Sequence, residues 1–444
     1  MKGYAERRDR LLAAFAVRGR GPIGLAKDTS NLFRDRAKAS RRLLDVRAFN
    51  HVLCVDTAGR WVEAEGMTPY EDLVAGTLAA GVMPAVVPQL KTITLGGAAA
   101  GVGIEASSFR HGLVHESLLA MDILTGDGQV RTCTPDNEHR DLFFGFPNSY
   151  GTLGYALKLR ARTMSVKPSV ELRHRRFSEP QAFFAAMNDA CSAAVDFVDG
   201  VAFGRGEMVL STGRFVDSAP YLSDYTFEKI YYRSIREREL DYLSTRDFIW
   251  RWDTDWFWCS KNVGAQVPWI RRLYGRERLG SRTFQKIMRW NSRWGVTRFV
   301  DRIRGGHRES VIQDVDIPLE NATAFLDFFQ REIGIAPVWT CPVRASAAAD
   351  RFCLYPMRAQ QLYVNFGFWD VIRRPRALPA GHFNRMVERE VERLGGIKSL
   401  YSDSYYEREQ FWRTYGGDTY RALKARYDPQ GNFPDLYEKC VLRR

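Results

Sequence analysis

The stretch from Pro88 to Gly112 has the residue types that bind phosphate through the backbone. Five glycines and a run of alanines lie within the 17 residues from Gly96 to Gly112. Because small residues leave the main chain uncovered, its N–H groups can approach a pyrophosphate closely. The stretch therefore predicts a phosphate-bearing cofactor. A Gly/Ala-rich packing segment against a neighbouring helix is the structural alternative.

The run from Gly101 to Ala106 also matches the dinucleotide-binding fingerprint GxGxxG/A, with Asp122 about 20 residues further on. That fingerprint should follow a hydrophobic strand and open a helix. Here it follows a Gly/Ala run and enters a polar segment that ends at Gly112. A Rossmann nucleotide site is therefore the weaker alternative.

Two further loops flank this stretch at a distance. The first, Lys27 to Leu32, follows an apolar run, and the other, Tyr150 to Tyr155, enters a β-like run over 156–159. The three segments in this order resemble the flavin-binding domain of the vanillyl-alcohol oxidase and p-cresol methylhydroxylase superfamily. In that superfamily two loops hold the FAD pyrophosphate and a later glycine-rich strand borders the flavin. The resemblance implies FAD.

Segments over nearly the whole chain resemble the delta-24-sterol reductase branch: 88–112 with 115–116, then 311–315, 339–342, 401–405 and 433–437. Within that branch the first half is most similar to bacterial enzymes that alter double bonds in methyl- or methylene-branched fatty acyl chains of phospholipids. The segments 87–95, 105–109, 115–117, 121–126 and 146–154 carry that similarity. We expect no N-terminal membrane anchor like that of the eukaryotic sterol reductases. The first loop has no His or Cys where covalent members attach their flavin, which implies non-covalent FAD.

Backbone amides and neutral hydroxyls are suited to a diphosphate because they bind it without requiring a buried cation. With the resemblance, we expect the cofactor to contact the first loop, the glycine-rich stretch and the later loop. The predicted contacts are Thr29, Ser30, Asn31, Pro88, Thr92, Thr94, Gly96, Gly97, Gly101, Gly103, Ile104, Ser107, Ser108, Gly112, Gly151 and Gly154.

Four side chains are candidates for the proton transfer that accompanies redox chemistry at an alkene. Hydride moves between flavin N5 and one carbon, and the partner carbon needs a proton donor or base within reach. Glu105 lies in the flavin loop, whereas Tyr401, Asp403 and Tyr405 lie in the C-terminal segment, which in this family returns to the flavin. Glu105 could instead cap a turn or pair with Arg110, and the tyrosines could be packing residues.

The elements that must position these residues form a multi-domain α+β chain. Its 444 residues are 45% hydrophobic, enough for more than one core. Two hairpins are predicted, 52–55 with 61–64 and 121–124 with 129–133. Glycine becomes rarer after Pro168 while Trp, Arg, Phe and Tyr increase. We expect a p-cresol-methylhydroxylase-type FAD domain over 1–168, an α+β substrate (cap) domain over 169–398, and a C-terminal segment over 399–444 that returns to the flavin site.

A basic, tryptophan-rich region extends over 229–308. It holds 19 Lys or Arg against 8 Asp or Glu, and seven of the 11 tryptophans, in a chain of net charge +13. Tryptophan with Lys and Arg favours an anionic membrane surface. A solvated basic face with buried tryptophans and a nucleic-acid stacking surface are the alternatives. Together with the lipid-active resemblance, the region predicts a membrane phospholipid substrate and no nucleic acid.

The cysteines, the histidines and the apolar runs limit the class of protein to which this chain can belong. The seven cysteines form no CxxC pair and no HExxH motif occurs, so we expect reduced thiols and no metal. The longest apolar run, 73–88, is interrupted by glycine and too short to span about 30 Å of hydrocarbon. We expect a cytoplasmic protein, peripheral on the inner face of the membrane. Its partners would be NADPH or another electron donor, an electron-transfer partner, or a lipid methyltransferase of the same pathway.

The reaction expected is reduction or desaturation at a carbon–carbon bond of a lipid acyl chain, because one flavin geometry serves both directions. A sterol reductase would share nearly every feature above. A soluble flavin oxidase acting on a small alcohol would share the FAD domain but would need no basic, tryptophan-rich surface.

Overall fold

The structure of the protein is a computed structural model, and it describes residues 2–17, 22–28, 33–34, 41–294 and 307–444. The predicted first-loop contacts Thr29, Ser30 and Asn31 lie outside these ranges, as does 295–306 at the end of the basic region. Within the ranges the chain forms two large antiparallel sheets with helices packed against them. The α+β class is confirmed.

The first large sheet contains both predicted hairpins. Its strand order is β3-β4-β8-β6-β7, with β5 paired to β8, and every pair is antiparallel. A Rossmann unit needs parallel strands joined through a helix, so the Rossmann alternative for 101–106 is wrong. The strands here are β3 (Val52–Asp56), β4 (Trp61–Glu65), β5 (Val82–Pro84), β6 (Leu118–Leu124), β7 (Val130–Cys133) and β8 (Tyr155–Ser165), preceded by the separate parallel pair β1 (Ile23–Ala26) and β2 (Arg42–Asp45).

An aspartate fixes each hairpin turn of this sheet. Between β3 and β4, Asp56 Oδ1 accepts a hydrogen bond from the Gly59 amide at 2.7 Å. Between β6 and β7, Asp127 Oδ1 accepts one from the Thr125 hydroxyl at 2.7 Å, and Gly128 takes the left-handed φ of 80°. Aspartate side chains mimic a backbone turn in this way. Both predicted hairpins are confirmed.

The second large sheet begins at Ser169, shortly after the first ends at Ser165. Its order is β12-β9-β11-β10-β14-β15-β13-β16. Helices cover one face, where Phe183, Phe325 and Phe329 are fully buried against the strands. The strands are β9 (Ser169–Phe177), β10 (Phe197–Gly204), β11 (Glu207–Val216), β12 (Leu240–Ser244), β13 (His307–Pro318), β14 (Val338–Arg344), β15 (Leu362–Arg374) and β16 (Ile397–Lys398).

The α-helices in the described ranges are α1 (Lys2–Val17), α2 (Tyr70–Leu78), α3 (Leu95–Ala100), α4 (Ser108–His111), α5 (Arg140–Gly145), α6 (Pro180–Ser192), α7 (Tyr231–Ser234), α8 (Thr245–Ile249), α9 (Pro268–Tyr274), α10 (Ser281–Trp294), α11 (Ala322–Phe328), α12 (His382–Arg393), α13 (Arg408–Thr414), α14 (Gly417–Tyr427) and α15 (Leu436–Cys440).

The C-terminal segment after β16 packs back onto the first sheet. The Phe33 amide, at the end of the first loop, donates to the Tyr401 carbonyl at 3.0 Å. Asn432 Nδ2 donates to the Gly126 carbonyl at 2.8 Å, at the turn of the second hairpin. The first bond places Tyr401 beside Phe33, and the second holds Asn432 at the first sheet.

The six tryptophans of the basic region whose side chains the structure describes divide into two groups. Trp250, Trp252, Trp256 and Trp258 are buried in the core. Trp269 on α9 and Trp290 on α10 are 64% and 56% exposed. The exposed apolar surface is therefore much narrower than 229–308. None of the helices in the described ranges combines the length and hydropathy needed to cross a bilayer.

Candidate functional site

A cavity of about 530 Å³ lies where the first sheet, the second sheet and the C-terminal segment meet. Its walls differ in chemistry: one is bare backbone, one is aromatic, and a third carries basic side chains. We refer to it as the central cavity.

The backbone wall of the central cavity is built largely of glycine, and we refer to it as the glycine wall. Nine of the predicted cofactor contacts line it, most of them from the glycine-rich stretch. They are Pro88, Thr94, Gly96, Gly97, Gly101, Gly103, Ile104, Gly151 and Gly154.

Gly96 and Gly97, on α3, need to be glycine for different reasons. A Cβ on Gly96 would lie 2.7 Å from the Gly66 carbonyl oxygen, so the helix can approach that loop only without a side chain. A Cβ on Gly97 would meet only the Thr94 hydroxyl at 2.8 Å and would otherwise project into open space at the cavity. Thr94 caps α3 by accepting a hydrogen bond from the Gly97 amide. Gly96 thus allows close packing of α3 against the Gly66 loop, and Gly97 leaves the backbone open towards a ligand.

Four other predicted cofactor residues do not line the central cavity. Thr92 is buried and accepts from Gln285 Nε2 at 2.8 Å. The Ser107 hydroxyl donates to the Ala85 carbonyl at 2.7 Å, and Ser108 Oγ accepts from the Glu105 amide at 3.1 Å. Gly112 takes φ 69°, and a Cβ there would lie 2.5 Å from a carboxylate oxygen of Glu116. These residues stabilise the conformation of the glycine-rich stretch on the side away from the central cavity.

The aromatic wall comes from three separate parts of the second sheet and its connections. Trp256, Phe257, Trp339 and Trp369 line the cavity. The Phe257 and Trp369 ring centroids are 4.4 Å apart, and those of Phe257 and Trp339 are 5.6 Å apart. Such a surface binds flat rings or hydrocarbon rather than a hydrophilic substrate.

Tyr401 is the predicted catalytic residue that reaches the central cavity. Its hydroxyl accepts a hydrogen bond from Trp369 Nε1 at 2.8 Å and also interacts with the Asp314 carboxyl. Asp314 lines the cavity from β13, and burial raises the pKa of this carboxyl to about 7, with Tyr401 lowering it and nearby Asp316 raising it. Sequence reasoning noted 311–315 only for its resemblance and assigned Asp314 no role.

Glu105 lies behind the cavity wall in a buried ion cluster. Arg251 Nη2 is 3.3 Å from Glu105 Oε1 and 2.8 Å from Asp199 Oδ2, and all three side chains are almost fully buried. Burial raises the pKa of Glu105 to about 7 although Arg251 lowers it. The expected alternative partner, Arg110, pairs with Asp196 instead. We refer to the segment 101–107, between α3 and α4, as the flavin loop. The Glu105 carboxyl ties this loop to the second sheet, and Glu105 does not line the cavity.

Asp403 and Tyr405 reach the central cavity only through a third residue. Arg443 lines the cavity, lies 3.4 Å from Asp403 Oδ1 and donates to the Tyr405 hydroxyl at 2.9 Å. The structure therefore separates the predicted candidates: Tyr401 faces the cavity, whereas Glu105, Asp403 and Tyr405 are held in ion-paired or hydrogen-bonded positions around it.

Comparisons with known proteins agree with this arrangement. Residues 14–134 match the family model described as an FAD binding domain. The chain is 28% identical to the human Delta(24)-sterol reductase over 401 residues, which cover 87% of this chain and 75% of the relative. It is 23% identical to the Arabidopsis thaliana Delta(24)-sterol reductase, with 91% and 77% covered. It is 29% identical to the rice cytokinin dehydrogenase 7 over 37% of this chain and 31% of that protein.

The matched range contains most of the glycine wall, and the open space beside Gly97 and the aromatic wall fit a flavin nucleotide. The rice enzyme matches over a shorter part of the chain, whereas the sterol reductases match beyond the FAD-binding range. The chain is therefore an FAD-dependent oxidoreductase of distant homology to the Delta(24)-sterol reductases over most of its length.

Proposed function

We propose that the protein adds hydrogen to, or removes it from, a carbon–carbon bond of a membrane lipid. The substrate that we favour is a methyl- or methylene-branched fatty acyl chain of a phospholipid. The observation that carries this proposal is the placement of Tyr401 in an aromatic-walled cavity beside Asp314 and Trp369. An apolar wall with one polar cluster suits a hydrocarbon substrate that needs a proton at one carbon.

When bound, FAD supplies hydride chemistry at N5. Gly97, Gly101, Gly151 and Gly154 would hold it against bare backbone. Excluding water from the aromatic wall would strengthen each polar contact of the bound substrate.

In the reductive direction, the Tyr401 hydroxyl gives its proton to one alkene carbon while the other carbon receives hydride. The Trp369 N–H stabilises the negative charge that develops on the Tyr401 oxygen, because it already donates to that oxygen. In the same step protonated Asp314 gives its proton to the Tyr401 oxygen, so the step requires the protonated carboxyl, and Asp314 is itself reprotonated from solvent after product release. In the oxidative direction the same groups accept the proton.

The pH dependence of the reaction tests the role of Asp314. Since burial raises the pKa of this carboxyl to about 7, its proton is present below that pH and is lost above it. We expect the reductive rate to fall by up to tenfold per pH unit above about 7, measured as anaerobic reoxidation of reduced flavin by a lipid alkene. Asp314→Asn should lower the rate and abolish its fall above about pH 7. If the rate of this variant still fell above about pH 7 as in the wild type, the titrating proton would belong to another group.

Attachment to a membrane surface is supported by two exposed helix faces. On α9, Trp269 and Leu273 are 64% and 72% exposed and lie one turn apart, so they share a face. Arg272 between them is also exposed. On α10, Met288 and Trp290 are exposed beside the basic residues of that helix. Exposed Trp and Leu next to Arg and Lys suit the headgroup region of an anionic membrane.

We expect the double variant Trp269→Ala/Leu273→Ser to sediment at least tenfold more weakly with vesicles containing anionic phospholipid, because it loses the apolar anchors of α9. The measurement is co-sedimentation at low and high salt. Leu240→Ser removes a leucine that is 40% exposed on β12, outside α9 and α10, and should bind as the wild type does. Equal binding of both variants would contradict a membrane-facing α9.

Gly97→Val tests the glycine wall. The valine side chain would occupy the open space at the cavity and crowd the Thr94 cap, so we expect the FAD dissociation constant to rise at least tenfold. The measurement is flavin fluorescence quenching on titration of the apoprotein. Gly76→Ala, inside α2, makes only ordinary contacts with Val52 and should leave FAD affinity unchanged. Unchanged affinity in Gly97→Val would place the cofactor elsewhere.

The Delta(24)-sterol reductases suggest a second candidate substrate, a sterol or isoprenoid alkene, since they match 87% of this chain or more. The test begins with the absorption spectrum of the purified protein, with flavin bands near 375 and 450 nm as approximate expectations. Dithionite-reduced protein is then mixed anaerobically with three substrates: a phospholipid with a methylene-branched chain, a sterol alkene and a small aryl alcohol. Reoxidation by the phospholipid alone supports the proposal, whereas reoxidation by the sterol alone selects the second candidate.

Addition of NADPH or of a saturated methyl-branched phospholipid to the oxidised protein then gives the direction. Bleaching by NADPH indicates a reductase, and bleaching by the saturated lipid indicates a desaturase. A protein that no lipid oxidises or reduces, but that an alcohol reduces, would overturn the lipid assignment.

A further inference from the structure

A buried arginine and a half-buried lysine in the wall of the central cavity, Arg34 and Lys439, have no acidic partner within the described part of the chain. Arg34 is 7% exposed, and its Nη1 lies 2.5 Å from Cys440 Sγ. Lys439 Nζ donates to the Tyr150 carbonyl at 2.5 Å. The Arg34 guanidinium lies 4.8 Å from the Tyr150 ring centroid, so both cations meet at this tyrosine.

The charge balance of the cavity is one-sided. Six of the described lining residues are basic and one, Asp314, is acidic; the basic ones are Lys27, Arg34, Arg41, Lys439, Arg443 and Arg444. Burial lowers the pKa of Lys439 well below its usual range, and Arg34, Arg41 and Lys27 lower it further. Lys27 and Arg444 are exposed, and Arg443 pairs with Asp403. The free-energy cost of gathering like charges therefore falls mainly on the less exposed Arg34 and Lys439, unless an anion compensates them. The wall is therefore built for a negatively charged ligand.

Hydrogen bonds near both ends of the chain hold the two cations in place. Lys439 and Cys440 lie in α15, whose start is capped by Asp435 through bonds to the Tyr437 and Glu438 amides at 2.8 and 3.1 Å. Arg34 follows Phe33, whose amide is bound to the Tyr401 carbonyl. The short helix holds Lys439 against Tyr150, and the contact with Cys440 holds Arg34 beside it.

We propose that Arg34 and Lys439 form a phosphate-binding site in the wall of the central cavity, with α15 as part of the site. A guanidinium and an ammonium with no carboxylate partner among the described residues match the several oxygens of a phosphate ester. Two ligands could supply that group: the diphosphate of FAD and the headgroup phosphate of the lipid. The second source rests on the proposed function, whereas the first requires only the FAD-binding domain.

The experiment uses the full-length chain with Lys439→Gln, Arg34→Gln and the double variant. If the anion is the FAD diphosphate, we expect the FAD dissociation constant of the apoprotein to rise at least tenfold in each single variant and more in the double variant. Riboflavin, which has the same ring system and no phosphate, should bind all of them equally. Arg421→Gln, an exposed arginine on α14 paired with Asp418, is the matched control and should change neither affinity.

If the anion is the headgroup phosphate, FAD affinity stays unchanged and the KM for the phospholipid rises at least tenfold, while the KM for the methyl ester of the same acyl chain does not. Arg34→Lys, which keeps the charge, should retain most of the affinity lost in Arg34→Gln. The FAD arm needs no turnover, so it separates failure of this site from failure of the proposed reaction.

Apoprotein stability distinguishes a binding role from a structural one. Removing either cation should leave the thermal midpoint of the apoprotein unchanged or higher, while the increase in midpoint on adding the phosphorylated ligand becomes smaller. A midpoint that falls sharply in Lys439→Gln would show that the cations stabilise the fold instead. That result, or variants that bind FAD and phospholipid as the wild type does, would overturn the proposal.

Discussion

Replacing Tyr401 by Phe is expected to lower the rate of hydrogen transfer between bound flavin and a lipid alkene at least 100-fold, the range that a positioned proton donor contributes. The substitution removes one oxygen and leaves the ring, which packs edge-on against Phe33 at 5.8 Å. FAD should therefore remain bound. The measurement is single-turnover reoxidation of reduced flavin by the alkene, followed anaerobically near 450 nm with FAD content determined on the same sample.

Tyr405→Phe supplies the matched control for this loss. It makes the same chemical change at a tyrosine four residues away, whose hydroxyl accepts from Arg443 and does not line the central cavity. We expect nearly wild-type single-turnover rates from it. Equal rates for the two variants would remove Tyr401 from the proton transfer, whether or not the chain acts on lipid.

Trp369→Phe should give a smaller loss than Tyr401→Phe. It removes the N–H that donates to the Tyr401 oxygen but leaves the hydroxyl proton in place. A donor aimed at developing negative charge lowers the barrier without supplying the proton itself. The ordering of the two variants thus distinguishes the proton donor from the residue that positions it.

The glycine wall could be predicted from sequence because a bare backbone is a local property. Gly96 and Gly97 stand side by side in the chain, and their absence of side chains is visible in the printed letters. The hairpins of the first sheet were predictable for the same reason, since Asp56 and Gly128 act within their own turns. A structural feature formed by residues that are close together in the chain can be predicted without knowledge of the tertiary structure.

The aromatic wall and the cation pair could not be predicted, because strand pairing and chain return create them. Trp339 lies on β14 and Trp369 on β15, and the β14–β15 register brings both to one cavity. Arg34 and Cys440 are 406 residues apart in sequence. Composition alone cannot separate a tryptophan in a core from one at a surface, so the sequence places the buried Trp256 in the same region as the exposed Trp269.

The second large effect is expected at Arg251, which joins the flavin loop to the second sheet. Arg251→Met should reduce the free energy of unfolding by about 3–5 kcal/mol, the cost of leaving buried charges without their partner. Glu105 and Asp199 would remain almost fully buried, and Trp339 Nε1 would still donate to Asp199 at 3.3 Å. Urea unfolding of the FAD-loaded protein, followed by tryptophan fluorescence and by flavin release, measures this loss.

Two controls separate the buried charge from the loss of an arginine side chain. Arg246→Met, on the exposed side of α8, should change stability little, because surface substitutions away from such clusters have small effects. The triple variant Arg251→Met/Glu105→Gln/Asp199→Asn should recover part of the loss, since it removes the uncompensated carboxylates together with their partner. The deficit of Arg251→Met should also shrink at acid pH, because protonation neutralises Glu105, whose pKa burial already raises to about 7. If Arg251→Met were as stable as Arg246→Met, the ion cluster could not be what holds the flavin loop against the second sheet.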